Sequence, residues 1–320
     1  MAIKYSVVVP AKDEEGNIRP LYEGIKGVMD RVKSPDGDHA ASWELVLIDD
    51  GSEDRTWEKM RQIQGDDDRV RLIQFRRSFG QTAGWSAGFD AARGDYVIVM
   101  DADLQNDPQD IPAMLAKLKT DHLDVVSGWR RDRKDNGTLK LGSKVGNWVH
   151  RWMTGEKIHD HGCSLKVYKK EALEDLELYG EMHRYITALL AWKGFKIGEM
   201  PVRHHSRRTG QTKYSVKKKL KGFLDLVVVK FWIQYSARPM HFFGAIGGAF
   251  ILVGLALGGI LGVLWLSRFI ALAGRSTPLL AVLLVIVGVQ FLLTGVLADV
   301  VSHTYYAKKK AYSIKKRVGF

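Results

Sequence analysis

The sequence predicts an α/β domain on a mostly parallel sheet, followed by two helices that cross a membrane. Three observations predict it. Short β-branched runs recur with helical stretches between them, the order of a parallel sheet covered on both faces. Acidic residues directly follow three of those runs. Two late segments reach the roughly 20 apolar residues that a bilayer requires.

In chain order, strands are expected at Tyr5–Val9, Glu44–Ile48, Val70–Phe75 and Tyr96–Met100, with another opening at Val125-Val126. Runs over Ser164–Tyr168 and Phe195–Val202 extend the sheet. Met1–Pro10 therefore reads as a strand and not as a signal peptide. Residues 216–238 read as an amphipathic helix. Lysines 217, 218, 219, 221 and 230 accompany Leu220, Phe223, Leu224, Val227, Val228 and Phe231 at i, i+3, i+4 spacing, which suits a helix lying in the headgroup layer. Val145, Trp148, Val149 and Trp152 share a second helical face, fit for a core or for the membrane interface.

The spans are expected at 241–266 and 278–301, apolar on all faces. In the first, Gly244 and Gly248 are four apart, as are Gly254, Gly258 and Gly262. Small residues so spaced let helices approach closely, within the chain or in a homo-oligomer.

The net charge is +12. Arg203–Arg238 carries +9 and the tail 302–320 carries +6, so the remainder is net −3. The basic character belongs to the membrane flanks, which points to anionic lipid headgroups rather than to nucleic acid. The loop between the spans holds only Arg268 and Arg275. The positive-inside rule then places the N-terminal domain, residues 1–215, and the tail on the cytoplasmic side of the cell membrane. The single cysteine, Cys163, excludes an internal disulfide and reads as a small core residue.

Three acid clusters carry the chemistry: Asp13-Glu14-Glu15 after the first strand, Asp49-Asp50-Gly51-Ser52 after the second, and Asp101-Ala102-Asp103 after Tyr96–Met100. Ligands bind open α/β sheets at the carboxyl ends of the strands. Two carboxylates one residue apart there make a hard oxygen site suited to Mg²⁺ or Mn²⁺, which can bridge a diphosphate. Together the clusters outline a pocket for a nucleotide and a divalent cation. The chain has neither G-x-G-x-x-G after a strand nor G-x-x-x-x-G-K-[ST], against a dinucleotide enzyme or P-loop NTPase. His159, His161, His204 and His205 offer a softer site, but a hard cation prefers the oxygens.

Strung together, several stretches resemble one family. They are Val7–Glu15, Ile48–Ser52, Phe79-Gly80-Gln81 with Ala87-Gly88, Asp101–Gln105 with Pro108, Asp160–Cys163 and Arg207–Tyr214. Over about Tyr5 to Phe231 the chain resembles a family 2 glycosyltransferase, in the branch of dolichyl-phosphate mannose synthases and bacterial polyprenyl-phosphate sugar transferases. That resemblance implies a GT-A type, Rossmann-like fold and inverting transfer of one sugar from a UDP- or GDP-linked donor to undecaprenyl or dolichyl phosphate. It implies that Pro10, Ala11 and Glu14 contact the nucleoside and Asp50 the base. Asp101 would support ribose or metal, and Asp103 and Gln105 would ligate the cation. Arg208, Lys213 and, after the strand at Val125, Arg130 would hold phosphate. Asp160 falls at the position of the base. A phosphate monoester acceptor is already largely ionised near neutral pH, with a second pKa of about 6, so Asp160 is left with either a basic or an orienting role.

A processive polysaccharide synthase shares such a donor pocket but carries Gln-x-x-Arg-Trp; here Trp148 stands where that motif has glutamine before Arg151-Trp152. A silent membrane scaffold would have no use for all three acid clusters.

Overall fold

The computed structural model describes residues 3–33, 41–131, 158–174, 176, 178, 180, 182–205, 230–231, 234–235, 238–271 and 276–308. Two compact units divide the chain, Met1–Val229 and Lys230–Phe320. Most of the juxtamembrane helix expected over 216–238, most of the basic tail, the aromatic face at 144–153, and Arg208 and Lys213 lie outside the described residues.

The first unit holds seven strands: β1 (Tyr5–Ala11), β2 (Trp43–Asp49), β3 (Val70–Gln74), β4 (Tyr96–Val99), β5 (Val125–Trp129), β6 (Lys166–Lys169) and β7 (Ile197–Pro201). Their order is β3-β2-β1-β4-β6-β5-β7. β1 runs parallel to both β2 and β4, β2 to β3, and β5 to β7; β6 alone is antiparallel to its neighbours β4 and β5. Six carboxyl ends and the entrance to β6 therefore share one edge.

β1 and β2 are buried at every position because both faces of the sheet are covered. Alternation sorts them. Val7, Val9, Leu45, Leu47, Ile98 and Val126 meet α1 (Ile18–Met29), α2 (Thr56–Asp66) and α4 (Ile111–Thr120). Val8, Val46, Val97, Val99 and Val125 pack with Trp85 and Phe89 of α3 (Gln81–Ala91) and with Ile186 and Leu190 of α5 (Ile186–Trp192). Cys163 is buried in the first of these layers. A short turn of helix, Pro108–Asp110, leads into α4, its entrance closed by Asp107 accepting from the Gln109 amide.

The second unit contains two long helices, α6 (Pro239–Leu266) and α7 (Thr277–Lys308), each long and apolar enough to cross a bilayer. α7 runs past the expected end at Val301, through polar Ser302-His303-Thr304 to Lys308. Of the glycines singled out by spacing, Gly254 and Gly258 both meet Ala281 of α7 and Gly244 meets Leu292, while Gly247, outside that set, meets Gly288. A side chain at Gly247 would stand 2.6 Å from the Gly288 carbonyl, and one at Gly254 would stand 2.9 Å from the Ala281 carbonyl. Gly248 and Gly262 face open space. The contact thus recurs at seven residues, the period of a coiled seam, whereas Gly248 and Gly262 take no part in pairing α6 with α7.

Candidate active site

The three acid clusters share the carboxyl edge of β1, β2 and β4, but most of their carboxylates are spent on the chain itself. The loops after β1 and β2 interlock. The Asp13 amide donates to Ser52 Oγ (3.0 Å), the Glu53 amide to Asp13 Oδ1 (2.9 Å), the Glu14 amide to Thr56 Oγ1 (2.8 Å) and the Glu15 amide to Asp54 Oδ2 (3.1 Å). Arg55 returns its amide to Glu15 Oε2, and Asn17 donates to the Glu14 carboxylate. Asp13 adopts φ +56°, a left-handed conformation that aspartate tolerates because it bonds locally. Pro10 and Ala11 end β1 just before this junction, and the Asp50 amide donates to the Ala11 carbonyl.

Asp49 accepts from the Ser52 amide and from Gln74 Nε2. Asp50 is buried and takes the Ser78 hydroxyl at 2.8 Å and the amides of Phe79 and Gly80 at 2.6 and 3.0 Å. Its carboxylate folds the β3–α3 loop, so Asp50 shapes this rim of the cleft through Ser78-Phe79-Gly80. Gly51 makes that packing possible. It sits at φ +63°, and a Cβ there would fall 2.5 Å from the Arg77 carbonyl carbon. Gly51→Ala combines a left-handed penalty of about 1–2 kcal/mol with overpacking of about 1–3 kcal/mol. A drop in thermal stability and loss of nucleotide binding are expected; an unchanged melting temperature would contradict this packing.

The third cluster is different. Asp101 continues the α3-facing parity of Val97 and Val99. Gln81, at the start of α3, donates to Asp101 Oδ1, and the nearby Ser164 hydroxyl, which accepts from Asn106 Nδ2, favours the charged form of Asp101. Burial pushes the Asp101 carboxyl up to about 6, and the charge of Asp103 adds to the rise. Asp103 is buried and accepts from the Gln105 amide at 3.2 Å. Leu104 between them holds φ +60°, a conformation that costs a non-glycine residue about 1–3 kcal/mol and gathers at functional sites. Here the twisted backbone turns Asp103 and Gln105 at the strand end. A cation would relieve the strain that burial and the Asp103 charge place on the Asp101 carboxylate, so the donor set fits a hard divalent ion. Among the described residues no group of three His, Cys, Asp or Glu could hold a metal unaided. The rest of the shell would come from substrate oxygens and water, the habit of Mg²⁺.

The other wall comes from β5 and the entrance to β6. Arg130 Nε and Nη2 donate to the two oxygens of Asp160 at 2.7 and 2.9 Å, and the Arg130 amide adds a third bond at 3.2 Å. The two side chains are only 13% and 7% exposed. Burial works against the Arg130 charge, but the Asp160 carboxylate outweighs it and holds the guanidinium above its ordinary value. Gly162 gives its amide to Asp160 Oδ1, so both carboxylate oxygens are engaged. That favours the orienting role for Asp160 over the basic one. The remaining N–H groups of Arg130 are the ones that can meet phosphate.

Glu199 of β7 fixes this corner. It accepts the amides of His159 and Asp160 at 2.9 and 3.0 Å and pairs with His159 Nδ1 at 2.8 Å, while the His159 ring stacks on Trp129. The chain leaving β7 returns to the acid pair: the His205 amide donates to the Gln105 carbonyl, and the Arg203 amide to Asp110 Oδ2.

The structure thus brings Asp101, Asp103, Gln105, Arg130 and Asp160 to one edge, with Pro10, Ala11, Glu14 and Asp50 along its β1–β2 stretch. Gln81, Ser164 and Glu199 were missed from the sequence. Gln81 stood within the Phe79-Gly80-Gln81 motif; a single acidic residue in Phe195–Val202 was the only sign of Glu199. A cleft of about 490 Å³ beside α1, lined by Glu23, Arg31, Asp107 and Pro112, contains none of the residues singled out for donor or acceptor.

Residues 6–177 match the family model described as glycosyl transferase family 2. Dodecaprenyl-phosphate galacturonate synthase of Rhizobium johnstonii is 40% identical over 314 residues, 95% of this chain and 89% of that protein. Undecaprenyl-phosphate 4-deoxy-4-formamido-L-arabinose transferase of Pseudomonas aeruginosa is 32% identical, covering 94% of this chain and 85% of that protein. Among solved structures, glucosyl-3-phosphoglycerate synthase of Mycobacterium tuberculosis, in complex with Mn²⁺ and UDP-glucose, superimposes with a TM-score of 0.52 at 18% identity, over 73% of this chain and 81% of that one. That likeness is one of fold.

Proposed function

The chain belongs to glycosyl transferase family 2, and from that premise we propose that it transfers one sugar, with inversion, from a nucleotide-sugar to a polyprenyl phosphate. One observation carries this reading: the carboxyl edge sets the acid pair Asp101/Asp103 on the same rim as the buried Arg130–Asp160 pair. The two long relatives support the acceptor class, since both are named as polyprenyl-phosphate enzymes.

The nucleoside lies along Pro10, Ala11, Glu14 and the loop that Asp50 folds. Asp101, Asp103 and Gln105 would hold Mg²⁺ or Mn²⁺, which when bound stabilises the negative charge of the departing diphosphate. Arg130, kept in place by Asp160, and Arg208 and Lys213 orient the acceptor phosphate. The acceptor arrives ionised, so one of its oxygens attacks the anomeric carbon as the bond to the nucleoside diphosphate breaks, and no protein base has to remove a proton. Residues 1–215 form the catalytic domain, 216–238 lies on the bilayer, and 241–266 and 278–301 cross it, with domain and tail cytoplasmic by the positive-inside rule.

Purified protein incubated with labelled nucleotide-sugars, undecaprenyl or dolichyl phosphate and Mn²⁺ tests this. A nucleotide-linked galacturonate belongs in the panel because of the 40% identical relative. One label should enter the lipid phase as a single sugar, and EDTA should stop it. Chains of several sugars would favour a processive synthase; every label staying in water would refute the transfer.

A further inference from the structure

The least expected side chain in the sheet is Lys166, only 1% exposed. Lysine is almost never buried so far without compensation. Its neighbours Leu165 and Val167 face the α1–α4 layer and Tyr168 faces α3 and α5, so Lys166 takes the α3 face. Its register partners are Val99 of β4 and Ser127 of β5. The ammonium lies 5.6 Å from the centre of the Trp85 ring, whose π face favours a cation. The surroundings are polar for a core. The Ser127 hydroxyl and the Trp85 indole N–H are buried with no hydrogen-bond partner among the described residues, and Thr82 Oγ1 meets His183 Nδ1 at 2.7 Å. Burial pushes the His183 imidazole down to about 3, so it stays neutral.

The position of Lys166 connects it with the acid pair. Asp101 stands two residues beyond Val99 on the same parity, and Ser164, whose hydroxyl accepts from Asn106 Nδ2, stands two residues before Lys166 on the antiparallel partner strand. The lysine charge acts on Asp101 against the burial that raises that carboxyl.

We propose that Lys166 is a positioning residue for the cation at Asp101 and Asp103: a fixed, buried positive charge that keeps the two carboxylates together before donor arrives and weakens their hold on a bare divalent ion. This rests on the donor-site reading above. A like charge in a medium of low effective dielectric opposes a divalent ion strongly, and the diphosphate of the donor brings the negative charge that offsets it. Bare metal is held loosely, and metal with nucleotide is held well.

The test is Mn²⁺ binding to donor-free, full-length protein, followed by electron paramagnetic resonance. Lys166→Met keeps the length of the side chain and its packing on Trp85. It should bind Mn²⁺ about tenfold more tightly than the wild type, while Lys166→Arg, which keeps the charge, stays near the wild-type value. A merely structural role would weaken binding in Lys166→Met, and that result, or an unchanged affinity, overturns the proposal. Tightening in Lys166→Arg as well would also overturn it. Lys166→Gln repeats the measurement if Lys166→Met does not fold. Asp103→Asn separates the two layers of argument. If wild type binds no Mn²⁺ even when a nucleoside diphosphate is added, or Asp103→Asn binds it equally well, the donor-site reading itself fails. If Asp103→Asn loses binding while Lys166→Met matches wild type, only the lysine inference fails.

Discussion

Asp103→Asn is expected to lower sugar transfer by about 10²–10³-fold, the usual effect of removing one group that stabilises developing charge, with membrane insertion and folding intact. The side chain keeps its shape and can still accept from the Gln105 amide, the hydrogen bond made in the structure. What is lost is one of the two charges that a hard cation needs. Turnover measured with saturating donor and Mn²⁺ checks this, with circular dichroism and detergent extraction as controls for folding and insertion. Retention of more than about a tenth of the wild-type rate would show that Asp103 does not hold the ion on which leaving-group stabilisation depends.

The second large effect concerns stability. Arg130→Met leaves Asp160 as a buried carboxylate stripped of its bidentate partner. Removing one member of a buried pair costs about 3–5 kcal/mol, because the other charge stays behind without water. At roughly 2–4 °C per kcal/mol for a domain of this size, the melting temperature should fall by about 10 °C. The double replacement Arg130→Met/Asp160→Leu should recover much of that loss, since a well-packed apolar pair is often as stable as an ion pair, yet it should not restore activity. A double-mutant cycle on thermal unfolding measures the coupling. Equal destabilisation by the single and double variants would mean that the pair contributes through packing alone.

The parallel strands were legible because β-branched runs ending in turn residues have little else to be, and β1 to β4 lie close to where those runs stand. The reversal of β6 was not legible. A four-residue strand has no internal mark of direction, and its pairing with β4 and β5 is decided by the connections around it. The acid clusters show a subtler limit. Asp13, Glu15, Asp49 and Asp50 look like ligands in a linear reading, yet their oxygens are taken by groups as distant in the chain as Glu53, Arg55, Gln74 and Phe79. A sequence shows that a carboxylate is present, not whether its lone pairs are already used. Arg130 and Asp160 were each found but as separate functions, acceptor grip for the one and a basic or orienting role for the other; thirty residues of separation hid the fact that they form one unit. Of the glycines of α6, Gly244, Gly254 and Gly258 were rightly singled out, but Gly247 was missed and Gly248 and Gly262 were included, since which face of an apolar helix meets its neighbour is decided by the partner at Gly288 and Ala281.

The backward course of β6 has a further consequence. The chain departs from the catalytic rim at Arg131 and comes back to the same rim at Ile158, with Arg130 and Asp160 clasped across the gap. That clasp works like a buckle. It fastens the end of β5 to the approach to β6 at the carboxyl edge, so the register of those two strands is held there by a buried ion pair as well as by the ladder.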